Sequence, residues 1–118
     1  MIKVGHKSKS RYWGRYEVQK VARLRQPVVC YSAEKGKVLF NPTLVKLEWE
    51  TPPSPDRHEF WFPYWITIDG KEKYGQFAPM IGENALLELL RNAIEQNFFS
   101  NRFLSELRTV VNERTGKD

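Results

Sequence analysis

Phe60-Trp61-Phe62-Pro63-Tyr64-Trp65-Ile66-Thr67-Ile68-Asp69-Gly70 is the stretch on which the fold turns. Aromatic and β-branched side chains crowd its first nine residues, as a pleated and largely buried strand requires. Phe60, Phe62, Tyr64, Ile66 and Ile68 share one side of the pleat and read as its core face, while Trp61, Pro63, Trp65 and Thr67 share the other. Tryptophans on that second side call for cover by the N-terminal strands or arm, for a second chain, or for a role as an open stacking platform. Asp69-Gly70 is the composition of a two-residue hairpin turn, so the chain should return antiparallel over Tyr74–Ala78, with Trp65 opposite Tyr74. Pro63 signals a strand edge or a bulge.

Toward the N-terminus the same periodicity continues. Val45, Leu47 and Trp49 alternate with Lys46, Glu48 and Glu50, a strand with one dry and one wet face. Asn41-Pro42 is expected to break the chain before it, and Pro52, Pro53 and Pro55 stiffen the loop after it. Val28–Tyr31 and Lys37–Phe40 flank Ala33-Glu34-Lys35-Gly36, a hairpin with Gly36 at positive φ. Tyr16, Val18, Ala22 and Leu24 alternate as a strand would, although Val18, Val21 and Ala22 also fit one helical face.

Beyond Pro79 the period changes to that of a helix. Leu86, Leu87, Leu90, Ala93 and Ile94 form one stripe, in a helix over about residues 83–97, with Gly82 or Asn84 as its cap. Phe103, Leu104, Leu107, Val110 and Val111 form a second, over about 101–114, between Ser100 as N-cap and Gly116 as its end. Both stripes are expected to be core. The fold class is therefore α+β: a mostly antiparallel sheet of four to six strands over about residues 16–78, followed by two amphipathic helices packed on one face. Residues 1–15 read as a basic flexible arm, and residues 16–118 as a single domain.

From Val28 onward, the order of four strands and a helix is similar in topology to the compact single-stranded-DNA-binding domains of the transcriptional-coactivator type. The likeness spans residues 28–97 and rests on Trp49, Trp65 and the Lys71-Glu72-Lys73 turn. The second helix and the N-terminal arm depart from that pattern.

Composition narrows the function classes. The chain has 118 residues, is 41% hydrophobic and 28% charged, and holds a single cysteine, a balance that suits a globular domain in a reducing compartment. Neither a signal peptide nor an apolar run of the ~20 residues a membrane span needs is visible, so the cytoplasm is the expected location. The net charge of +5 conceals an imbalance. Residues 1–46 carry eleven basic side chains against Glu17 and Glu34, a net +9, and the remainder sums to −4. Concentrated cations attract polyanions, because each neutralised phosphate releases counterions.

No motif for catalysis stands beside this charge. Cys30 lies in an apolar strand, where a thiol is expected to be buried and inert. Asp56, His58 and Glu59 crowd together without metalloenzyme spacing, and no glycine-rich phosphate loop is present. Neither a metal nor any other cofactor is implied.

The leading reading is a non-enzymatic nucleic-acid-binding protein that prefers single strands. Lys7, Lys9, Arg11, Arg15, Lys20, Arg23 and Arg25 would meet phosphates, and Trp13, Trp61 and Trp65 would stack on bases. The alternative is a protein-interaction module or small homodimer that uses the Trp61/Trp65 face. A third reading is a small hydrolase-like enzyme built on Asp56, His58 and Glu59.

Overall fold

A computed structural model of the chain describes residues 1–10, 13–52, 55–75 and 79–116. Among these residues lie seven strands: β1 (Lys7–Ser10), β2 (Gly14–Arg23), β3 (Val28–Ser32), β4 (Gly36–Trp49), β5 (His58–Trp61), β6 (Tyr64–Ile68) and β7 (Lys71–Tyr74). Helices α1 (Glu83–Glu95) and α2 (Asn101–Thr115) follow. The strands form one curled antiparallel sheet, so the fold is α+β.

Six of the seven strands fall in the span of about residues 16–78 where four to six were expected; two features of the sheet were not foreseen. Residues 7–10, read from sequence as part of a loose arm, pair with β2 from Lys7↔Glu17 to Ser10↔Gly14. The run from Phe60 to Ile68 is interrupted at Phe62-Pro63, where proline has no N–H for the ladder. The pairs Val45↔Trp61 and Asn41↔Trp65 nevertheless keep one offset, so the alternation of side chains passes through the interruption unchanged.

β4 organises the sheet. Its first half lies between β3 and β6 and its second between β2 and β5. Asn41-Pro42, expected to end a strand, sits inside β4 where the neighbours change. A missing donor is tolerated there, and the next amide, that of Thr43, donates to the Pro63 carbonyl at 2.9 Å. At the Asp69-Gly70 turn both residues have positive φ (50° and 75°), the signature of a type I′ hairpin, and Trp65 pairs with Tyr74 as the sequence requires. The return strand is Lys71–Tyr74; residues 76–78 of the expected strand lie outside the described residues.

The two faces of the sheet are covered differently. Val18, Thr43, Val45, Leu47, Trp49 and Trp65 are buried on what will be called the aromatic face, the side that also carries Trp61. The sequence placed the core on the opposite, even-numbered side of the Phe60–Ile68 run; the deeper burial is on the odd-numbered one. Residues 1–6 explain this. Gly5 and His6 exchange backbone hydrogen bonds of 2.8 Å with Val18, and the Arg23 guanidinium donates to the Ile2 carbonyl, so this segment is fastened beside the aromatic face.

On the other face α1 seats on β2 and β4. Ala22, Leu44, Ala93 and Phe98 form the core there, with Phe62 and Phe99 packed against it. Leu89, absent from the stripe read in the sequence, is fully buried, whereas Leu86, Leu87 and Ile94 are exposed. α2 begins as expected, with Ser100 Oγ accepting the Phe103 amide at 3.1 Å, and ends at Gly116 with φ 71°. It buries no residue: Phe103, Leu107, Val110 and Val111 remain 38–60% exposed. The expectation that this stripe is core is corrected accordingly.

Candidate nucleic-acid interface

The β1–β2 hairpin gathers the cations of the N-terminal segment. Lys7, Lys9 and Arg15 are exposed along its strands, and Trp13 stands at its turn with 59% of its surface open. Gly14, at φ 96°, allows the reversal. Arg11 lies outside the described residues.

A cleft of about 690 Å³ runs beside the hairpin and is lined by Lys7, Lys9, Arg15 and Arg57, with Glu17, Glu48 and Glu50 among them. Lys7 Nζ is 3.8 Å from Glu17 Oε1, and His58 Nε2 is 2.9 Å from Glu48 Oε2. Arg57 donates to the Trp49 carbonyl at 3.1 Å, which aims its guanidinium along the cleft wall. Exposed pairs of this kind contribute ~0–1 kcal/mol each, so a polyanion can displace them.

Tyr16 belongs to this cleft and to a second one. The second, about 660 Å³, is lined by Ile2, Lys3, His6, Tyr16, Trp61, Trp65 and Tyr74, with Met1 at its rim. Its rings are interlocked: Tyr16 lies 6.4 Å from Trp61, Trp61 6.1 Å from Tyr74 and Tyr74 5.6 Å from Trp65, all with steeply inclined planes. Trp65 is 9% exposed and cannot serve as a stacking surface, a correction to its expected role. Trp61 is partly buried. Burial, with Tyr16 and Tyr64 nearby, holds the Tyr74 phenol above its ordinary pKa.

Two other expected contacts, Lys20 and Arg23, are engaged elsewhere, and Arg25 is tied by its backbone to α1. Lys20 Nζ donates to the carbonyls of Gln96 and Asn97 at 2.5 and 3.4 Å, closing the C-terminus of α1, where a cation is favoured. Arg23 holds Ile2, and the Arg25 amide donates to Glu88 Oε2 at 2.7 Å. None of the three lines either cleft. Lys3 was counted among the cations of the N-terminal arm, whereas Arg57, Tyr16 and His6 were missed by the sequence reading. Only the alternation that placed Tyr16 on the pleat beside Val18 pointed to any of them.

Of the residues Asp56, His58 and Glu59, the last two lie on opposite faces of β5. His58 turns to Glu48, while Glu59, on the opposite face of β5, accepts the Trp49 indole N–H at 2.8 Å. Cys30 is exposed, not buried, because β3 pairs only with β4 and leaves its outer side open. Among the described residues no cluster of three or more His, Cys, Asp or Glu could hold a metal ion, and no helix is long and apolar enough to cross a membrane.

Comparison with protein-family models, with curated proteins and with solved structures finds no match. The topological likeness to the coactivator-type domains therefore gains no support from a solved structure.

Proposed function

We propose that the chain binds single-stranded nucleic acid through the adjoining basic and aromatic clefts, with Tyr16 as their common wall. The juxtaposition carries the reading: Lys7, Lys9, Arg15 and Arg57 line the cleft on one side of Tyr16, and Trp61, partly accessible, lines the cleft on the other. A strand crossing the ridge would set phosphates against the cations and a base against Trp61. Exposed Trp13 at the hairpin turn has no role in the core and offers a second stacking face. A duplex would keep its bases stacked and out of reach of both indoles.

The test is oligonucleotide binding followed by tryptophan fluorescence over a salt series. If Lys7, Lys9 and Arg15 each contact a phosphate, replacing all three with alanine flattens the slope of log affinity against log salt by about 2. Trp61→Ala then weakens binding by about 1–3 kcal/mol if one base stacks there. No binding at low salt, or a slope unchanged by the triple substitution, would overturn the proposal.

A further inference from the structure

Two apolar faces of this chain lack a cover, and they suit each other. The first is the stripe of α2, Phe103, Leu107, Val110 and Val111, none of it buried. The second is the outer side of the sheet where β3, β4, β6 and β7 meet. Across it runs one rung of paired residues, Val28↔Phe40, Phe40↔Ile66 and Ile66↔Lys73, all on one face because directly paired residues point the same way. Val38, opposite Cys30, extends the face, and Ile68 pairs with Lys71. Val28, Val38, Phe40, Ile66 and Ile68 all retain accessible surface, and Cys30 is exposed. α1 covers the same side of β4 only farther along, at Leu44. Among the described elements, neither helix seats on β3, β6 or β7.

The accessible surface measures how much is uncovered. It is 9121 Å² for a 14.0 kDa chain, whereas a compact monomer of that mass exposes about 6,700 Å². The surplus, about 2,400 Å² per chain, is of the size that obligate homodimers bury. The molecule is also only 21 Å thick against 46 and 40 Å in its other directions, a slab with one layer incomplete.

We infer that two copies associate by exchange, the α2 of each lying across the β3-β4-β6-β7 face of the other. Two features select a second copy as the occupant. The chain carries both halves of the contact, so one two-fold axis satisfies both faces at once. The departure point of α2 is fixed away from its own face: α1 runs from Glu88, beside Arg25, to Gln96, beside Lys20 on β2. There Phe98, 1% exposed, pins the connection against Phe60. The β3-β4-β6-β7 face differs from the Trp61/Trp65 face considered in the sequence, which residues 1–6 of the same chain adjoin.

The test uses the full chain and its native thiol. Light scattering should give the mass of two chains. Val110→Cys, mildly oxidised, should join Cys30 to the new thiol between chains, giving a covalent dimer that a matching Cys30→Ser control does not form. Leu107→Glu should reduce the mass from two chains to one with the circular dichroism spectrum retained, because α2 buries no residue within its own chain. It should also speed the labelling of Cys30 by a thiol reagent. A single-chain mass for the wild type overturns the inference. So does a disulfide formed within one chain, which would place α2 on its own sheet, and so does a Leu107→Glu protein that stays dimeric.

Discussion

Tyr74 lies between the aromatic cleft and solvent, and its raised pKa links protonation to folding. A phenol whose native pKa exceeds its unfolded one keeps its proton longer in the folded chain. Its contribution is thus complete below the unfolded value near 10 and is lost as pH climbs through the native value. An ultraviolet titration should show a tyrosine that ionises late, and Tyr74→Phe should remove that phase while flattening the alkaline fall in stability. Gly75, the next residue, is buried, and a Cβ placed on it would run into the Tyr64 ring. Tyr64 also packs on Phe40 with ring centroids 5.3 Å apart and so has little freedom to yield. Gly75→Ala should therefore cost about 1–3 kcal/mol in denaturant unfolding, through overpacking.

At the scale of elements, helix stripes that look equivalent in the sequence have opposite standing. Leu89→Ala should cost about 2–5 kcal/mol, since Leu89 is fully buried under α1. Leu107→Ala should change the stability of dilute monomer by under ~0.5 kcal/mol. The N-terminal segment also has a weight the sequence did not reveal. Deleting residues 1–10 removes β1 and the chain beside Trp61, so the melting temperature should fall and the tryptophan emission should shift to the red. An unaltered melting temperature would show that β1 adds nothing to the sheet.

The same elements show what could be read beforehand and what could not. The Trp65↔Tyr74 register followed from Asp69-Gly70, and both ends of α2 from Ser100 and Gly116, because turns and caps are written in local chemistry. The continuity of β4 through Pro42 was not readable, since it depends on neighbours changing at that residue. The burial of the Trp65 side was legible only as one of three covers for those tryptophans, because the choice among them depends on residues 1–6, far away in the chain. An amphipathic period reports that a face wants cover and is silent about which chain provides it. The cleft was half legible: Lys7, Lys9, Arg15 and Trp61 were named, but Arg57 comes from beyond the proline loop and meets them only through the β4–β5 pairing.

For the molecule as a whole, the decisive feature is that β4 is shared. The ladder with β3 and β6 and the ladder with β2 and β5 use the same fourteen residues, so neither half of the sheet owns a complete set of strands. The halves cannot melt independently, because opening either one strips a flank from the backbone that the other requires. Slow hydrogen exchange should express this as a single free energy, common to the amides of Leu39 and Phe40 in one half and Val45 and Leu47 in the other. Two distinct opening energies along β4 would mean that the strand breaks at Pro42 before the sheet does. Joined as described, the curled sheet opens as a single cooperative unit, hinged on no internal seam.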